Sequence, residues 1–372
     1  MKTFKVAHLT SVHPRYDTRI FIKMCRSLSH VTQDVHLIVA DGLGDEVVDG
    51  VQFWDCGERA SSRFKRMIRS VRNVINKAIE LDADIYHLHD PELLTYGLKL
   101  KKMGKIVIFD AHEDLPLQIL SKPYLNPFVA LLLSKSVSLV ERYFCSRVDA
   151  VVAATPFIRD KFLKINKTVI DVNNYPILSE FSSLNKSDKF SEGSAVCYVG
   201  GITKVRGIVE LVDSLSLLKK PLRLKLAGKF SEQKLERQVK KQAGWKCVSE
   251  LGWLDREGIK DVLNNSFAGL VTLHPTINYK DALPVKMFEY MAAGLPVIYS
   301  NVPLWVDIIN VENCGIAVDP LSPLDIAKAI DKLANDFGLA KEMGELGRKA
   351  VKEKYNWAIE EKKLLKLYRE LL

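Results

Sequence analysis

The chain has 372 residues, 47% hydrophobic and 27% charged, with a net charge of +9; this suits a globular protein of about two domains and leaves no case for disorder. Six scattered cysteines (Cys25, Cys56, Cys145, Cys197, Cys247, Cys314) form no CxxC pair and no metal-ligand spacing, which argues against a zinc site or disulfide frame and for a reducing cytosol. No stretch approaches the ~18 apolar residues of a membrane span and the first apolar run is too short for a signal peptide, so a soluble or peripheral protein is expected.

Short apolar runs alternate with helical patterns along the whole chain, the mark of parallel α/β sheets. In the first half, strands are predicted at 4–10, 35–40, 51–54, 85–89, 106–110, 150–153 and 169–172. After the first of these, Ser-Val-His-Pro-Arg-Tyr-Asp-Thr-Arg (11–19) leads into a helix capped near Asp17 or Thr18. Arg15 and Arg19 in that loop are candidates for an anionic ligand. Residues 59–77 form a basic amphipathic segment, with Arg59, Arg63, Lys65, Arg66, Arg69, Arg72 and Lys77 around an apolar stripe of Phe64, Ile68, Val71 and Ile75. It reads either as a solvated surface helix or as a contact with an anionic membrane. Nucleic acid fits poorly, since no recognition motif accompanies the charge.

Two polar clusters end first-half strands, Tyr-His-Leu-His-Asp-Pro-Glu-Leu-Leu (86–94) and Val-Ile-Phe-Asp-Ala-His-Glu-Asp (107–114). They stand where a doubly wound sheet binds ligands. Neither has HExxH or EF-hand spacing, so no metal site is expected. The stretch 120–144 carries Pro123, Pro127 and an apolar run at 128–133. It reads as a partly buried connecting helix, or as a lip at a membrane interface. The α/β pattern lapses into a linker at about 175–194. It restarts with strands at 195–199, 222–227, 268–272, 297–300 and 316–318, and a final helix spans 357–372. The restart strand runs into Cys-Tyr-Val-Gly-Gly-Ile-Thr-Lys-Val-Arg-Gly (197–207). Gly200 and Gly201 there allow a phosphate to approach the backbone, and Arg206 can clamp it.

The most informative segment is Asn-Tyr-Lys-Asp-Ala-Leu-Pro-Val-Lys-Met-Phe-Glu-Tyr-Met-Ala-Ala-Gly-Leu-Pro-Val-Ile-Tyr-Ser (278–300). It reads as a loop, a helix at 283–293, a Gly294 stop and a buried strand at 295–300. A helix N-terminus with free N–H groups at Ala282, Leu283, Pro284 and Val285 (proline lacking its own) and a lysine, Lys286, favours an anion. Asp281 and Glu289 beside it suit hydroxyl-rich groups, and phosphate flanked by polyols describes a nucleotide sugar. Glu289 sits among Met287, Phe288, Tyr290 and Met291, so a partner for its carboxylate is expected.

This segment resembles the signature of the retaining glycosyltransferases of family four, of bacterial surface-polysaccharide type. That signature is two acids separated by seven residues, closing on Glu-Tyr/Ala-Met-Ala-x-Gly-x-Pro-Val. The resemblance implies a GT-B fold, two doubly wound Rossmann-like domains facing a cleft. Residues 1–178 would form an acceptor domain, 190–355 a nucleotide-sugar domain, and 356–372 a helix bracing the first. By match, Glu289 binds the ribose, Asp281 (usually glutamate) contacts the donor sugar, and His112 lies beside that sugar. The family's Gly-Arg-x-x-x-x-Lys-Gly motif falls at 200–207, where Gly201 replaces the arginine and Arg206 the lysine. Lys286 is placed to supply the missing cation.

The expected activity is therefore metal-independent, retaining transfer from a UDP-sugar, with no cofactor beyond that co-substrate. The acceptor is a glycan or a polyprenyl-diphosphate-linked lipid of O-antigen, capsule or exopolysaccharide assembly, met at the cytoplasmic face of the plasma membrane. The alternatives are a catalytically inert nucleotide-sugar-binding subunit and a GT-B nucleotide-sugar epimerase.

Overall fold

The computed structural model describes residues 4–58, 66–122, 125–182, 184 and 195–372. The chain divides into two compact units, residues 1–174 with 358–372, and residues 175–357. Each is an α/β layer structure around its own sheet, the pair of Rossmann-like domains that define GT-B.

Unit 1 contains strands β1 (Val6–Leu9), β2 (Val35–Val39), β3 (Glu46–Val48), β4 (Val51–Asp55), β5 (Ile85–Leu88), β6 (Ile106–Ala111), β7 (Ala150–Ala153) and β8 (Val169–Asp171). Their order is β3-β4-β2-β1-β5-β6-β7-β8, and only the β3–β4 pair is antiparallel. Covered on both faces, the central strands are apolar throughout; Val35–Val39 is buried at every position. Val6 pairs with Val35 on one side and Ile85 on the other. The chain thus winds in opposite directions from β1 and β5, and the carboxyl ends of these strands form the crevice where such sheets bind ligands. Helix α1 (Leu115–Leu120) and the long helix α2 (Pro127–Cys145) follow β6.

Unit 2 contains β9 (Ala195–Val199), β10 (Leu224–Ala227), β11 (Val248–Gly252), β12 (Ser266–Val271), β13 (Val297–Ser300) and β14 (Gly315–Val318). All pair in parallel in the order β11-β10-β9-β12-β13-β14, so the switch lies between β9 and β12. Helix α3 (Ile208–Leu215) follows the glycine loop after β9, and helix α4 (Val285–Ala292) precedes β13. Gly294 has φ +68°, the left-handed stop expected after α4. Leu295 to Ser300 is buried as predicted, with strand pairing from Val297. The last helix, α5 (Trp357–Leu371), returns residues 358–372 to unit 1.

The sequence reading omits β3 and β11, two edge strands that bury little; β11 exposes Glu250 and Leu251. Within the basic segment, Arg59, Arg63, Phe64 and Lys65 lie outside the described residues, as do Pro123 and residues 185–194 of the linker. The described part is helical. Val71, Val74, Ile75 and Ala78 pack into the core of unit 1, whereas Ile68 is exposed. Arg69 and Arg72 face solvent, and Lys77 pairs with Glu80 at 3.3 Å and lies 4.1 Å from the Trp54 ring. Among the described residues, no helix is long and apolar enough to cross a membrane.

Candidate functional site

Unit 2 gathers its cations around the glycine pair. Gly200 follows β9 with φ +128°, a conformation open to glycine and rare for side-chain-bearing residues. A β-carbon at Gly200 would stand 3.5 Å from Arg206 Nη1 and 3.8 Å from Lys286 Nζ, so both cations converge on one point of bare backbone. Gly207, at φ +73°, lets the loop fold against β12; a β-carbon there would meet Thr272 O at 2.0 Å. Arg206 Nη1 donates to Gly201 O (3.1 Å), as does the Tyr198 hydroxyl (2.9 Å).

Lys286 rises from the first turn of α4. Its Nζ is sealed from solvent with no hydrogen-bond partner and sits 3.9 Å over the Tyr198 ring. Burial, with the Arg206 charge added, holds its ammonium well below the usual lysine range, against the pull of Glu289. An ammonium in that position is costly unless an anion joins it. The approach to α4 is fixed by Trp305, whose Nε1 donates to Ala282 O (2.7 Å). Asp281, Ala282, Leu283, Pro284 and Val285 are all half-buried, with Pro284 as N-cap and no side-chain cap on the helix. Asp281 lies five residues before Lys286 on the same approach. Glu289 has the partner its setting called for: Arg256 Nη1 donates to its Oε1 (2.9 Å), and the same guanidinium pairs with Glu180. No sequence signal marks Arg256, which comes from a helix end 33 positions away.

Unit 1 supplies a second constellation at the ends of β1, β5 and β6. His87 and His89, two apart on β5 and the turn after it, share one face and stack with His8 of β1 at centroid distances of 4.7–5.1 Å. Asp110 is the hub. Its Oδ2 lies 2.9 Å from His112 Nε2 and 3.1 Å from His89 Nδ1, and Arg19 grips both its oxygens at 2.7 and 2.9 Å. Burial alone would raise this carboxyl; Arg19, His112 and His89 hold it well below the carboxylate range. Since the carboxylate can only accept, His89 carries its proton on Nδ1 and accepts at Nε2 from His8 Nδ1 (2.8 Å). His8 Nε2 then accepts from the Tyr368 hydroxyl (3.3 Å), which accepts in turn from His87 Nδ1 (2.8 Å). That order leaves His87 Nε2 bare, and it is indeed a buried nitrogen without a partner. One carboxylate thereby sets the tautomers of three histidines. Donor atoms of His89, Asp110 and His112 lie within metal-bridging distance of one another, but the Arg19 guanidinium on the same carboxylate opposes a second cation.

The remaining sequence candidates find their anions inside the protein. Arg15 is buried and donates to both oxygens of Asp41 (2.8 and 2.6 Å), to Glu46 (2.6 Å) and to Gly44 O (3.0 Å), which leaves its fork turned away from a ligand. Arg19 belongs to Asp110. Asp17 caps its helix, accepting from the Arg19 and Ile20 amides.

Comparison with known proteins adds the family. The chain matches Glycosyltransferase Family 4 over residues 18–172 and Glycosyl transferases group 1 over residues 180–350. An uncharacterized glycosyltransferase of Methanocaldococcus jannaschii is 27% identical over 177 residues, 47% of this chain and 44% of that relative, so the match spans less than half the relative's length. Among solved structures, a sucrose-phosphate synthase from Thermosynechococcus elongatus superposes with a TM-score of 0.80 at 16% identity, covering 99% of both chains. Anabaena HepE in complex with UDP-glucose gives 0.74 at 12% identity, covering 99% of this chain and all of that one. WaaG, a glycosyltransferase involved in lipopolysaccharide biosynthesis, gives 0.73 at 15% identity, covering 96% and 98%. With both halves of the chain matched and both sheets of the fold in place, the protein belongs to the family-four glycosyltransferases of GT-B fold.

Proposed function

We propose that the protein transfers a sugar from a nucleoside diphosphate, UDP, to a hydroxyl with retention of anomeric configuration. The observation that carries this reading is the buried, unpartnered Lys286 ammonium converging with Arg206 on bare backbone at Gly200. A diphosphate fills that vacancy in charge. In the reaction the bond from the anomeric carbon to the diphosphate oxygen breaks and a bond to the acceptor oxygen forms on the same face. The acceptor proton passes to the departing phosphate, so no separate base is needed.

Stabilising the leaving diphosphate is the main task. Arg206, Lys286 and the amides of Gly200, Gly201 and the approach to α4 are assigned to it, supplying without a metal the positive charge it needs. Glu289 is assigned to the ribose, and Asp281 and His112 to the transferred sugar. The UDP-glucose complex of HepE supports the donor class, and the lipopolysaccharide role of WaaG supports a glycan or polyprenyl-diphosphate-linked acceptor in bacterial surface-polysaccharide assembly, met at the inner face of the membrane.

The test is UDP and GDP release from a panel of nucleotide sugars in EDTA, with and without membrane lipid extract, and NMR of the product anomer. Acceptor-dependent UDP release with retention is expected. UDP release with epimerised free sugar and no acceptor would overturn transfer, and failure to bind any nucleoside diphosphate would overturn the donor assignment.

A further inference from the structure

Helix α2 is built inside out. The residues it buries are small or polar: Ala130, Ser134, Glu141 and Cys145. Ser134 Oγ donates to Pro116 O (2.9 Å), and Glu141 pairs with Lys161 (2.7 Å). The large apolar side chains point outward instead, with Phe128 75%, Leu132 60% and Leu139 69% exposed and Leu131 and Tyr143 beside them. A single exposed leucine carries no meaning, but a contiguous patch of this kind marks an interaction surface.

Two further observations name the partner. Over 127–147 every exposed charge is positive, from Lys135, Arg142 and Arg147; the one carboxylate, Glu141, is 4% exposed and ion-paired. Apolar side chains interleaved with cations and no exposed acid complement an anionic lipid surface. A second copy is disfavoured, because a two-fold contact through α2 would set these cations against their own images.

The other observation is continuity with a cavity of about 780 Å³ in unit 1. Its floor is polar, with His13, Asp90, Asp110 and His112, and its wall is apolar, with Leu115 and Ile119 of α1 and Val137 of α2. Leu133 and Val140 line this cavity and are also 43% and 48% exposed. The apolar wall therefore runs unbroken onto the outward face of the helix.

We propose that α2 lies in the surface of an anionic bilayer and that the cavity opens from there onto a membrane-held acceptor, its polar head on the His112 floor and its apolar chain along α2. The docking stands by itself; the acceptor's path rests on the transferase reading.

The experiment is sedimentation of the full chain with vesicles of phosphatidylcholine and of phosphatidylcholine with phosphatidylglycerol, alongside light scattering and UDP calorimetry. Binding to the anionic vesicles is expected to exceed that to neutral ones roughly 100-fold, three cations each contributing about fivefold. Leu132→Glu with Leu139→Glu, both outside the cavity wall, should weaken vesicle binding about tenfold or more and leave UDP affinity intact. Lys135→Glu with Arg142→Glu should remove the preference for anionic vesicles and keep the residual neutral binding. Equal binding of the wild type and both variants, no vesicle binding at all, or a dimer dissolved by the leucine variants would each overturn the proposal. Loss of UDP binding alone, with docking intact, would instead count against the transferase reading.

Discussion

Replacing Lys286 by methionine separates a ligand-binding cation from a structural one, because the two roles predict opposite signs. Methionine has nearly the same reach, so the packing over Tyr198 is kept while the charge is removed. In the free protein, Nζ has no hydrogen-bond partner and Arg206 repels it. Removing a buried amine that has no hydrogen-bond partner should stabilise the fold in this state by about 1–3 kcal/mol. At about 2–4 °C per kcal/mol for a unit of this size, the melting temperature should rise by several degrees. Toward UDP the effect reverses. A charged hydrogen bond contributes about 1.5–3 kcal/mol, so Kd should weaken roughly 10- to 150-fold.

The proton count gives an independent readout. Burial depresses the Lys286 pKa in the free protein, and a bound diphosphate restores the proton. Above the free-protein pKa, binding should take up as much as about one proton per UDP, and affinity should fall as pH rises. Calorimetry in buffers of different ionisation enthalpy measures that uptake, which should vanish in Lys286→Met. A variant that melts lower than wild type while keeping its UDP affinity and proton uptake would show that Lys286 is structural and remove the argument for the anion site.

Glu289→Gln should weaken UDP by about tenfold, the loss of one charge-assisted contact to the ribose, and leave inorganic pyrophosphate binding unchanged. Competition titrations with the two ligands check this, and equal losses for both would refute the ribose assignment. Tyr368→Phe orphans His87 Nδ1 and His8 Nε2, and at about 1–3 kcal/mol for each buried group should cost about 2–6 kcal/mol in urea unfolding; a change below the error of the measurement would refute the hydrogen-bond order. Burial holds His8 and His87 well below the ordinary histidine pKa and lowers His89 to about 3. Below pH ~6.5 the unfolded chain binds protons that the fold refuses, so each histidine should remove about 1.4 kcal/mol of stability per pH unit as pH falls from there toward its folded value. Urea midpoints that do not move between pH 7 and 5.5 would contradict this.

Most of the fold was legible because fully buried parallel strands write themselves as apolar runs. Val35–Val39 and Ala150–Ala153 need no context to be read. The strands β3 and β11 were not, since an edge strand is held by backbone pairing on one side and makes few demands on its side chains. In unit 2 the cluster proposed as an anion site was legible where it is local: Gly200, Gly201 and Arg206 lie within one loop, and Lys286 and Glu289 within one helix. What escaped is long-range. Arg256 reaches Glu289 across 33 positions, and Arg15 meets Asp41 and Glu46 across 26 and 31. The inversion of α2 escaped for another reason. Its apolar pattern left a partly buried helix and a membrane lip both open, because which face a helix buries is decided by what it packs on, here α1 and the ion pair of Glu141 with Lys161.

The Tyr368 link bears on the order in which the chain can fold during synthesis. Residues 358–372 complete unit 1, yet they are translated only after all of unit 2. Until they arrive, the His8–His87–His89 stack lacks the hydroxyl that orders it, and the Asn173 amide lacks the Glu360 carboxylate that accepts from it at 2.8 Å. Unit 2, by contrast, is contiguous in the chain and can close while it emerges. Translation therefore reverses the usual sequence in which the earlier-made domain finishes first. A released chain that stops at residue 357 should show a protease-resistant second unit beside a first unit open to cleavage.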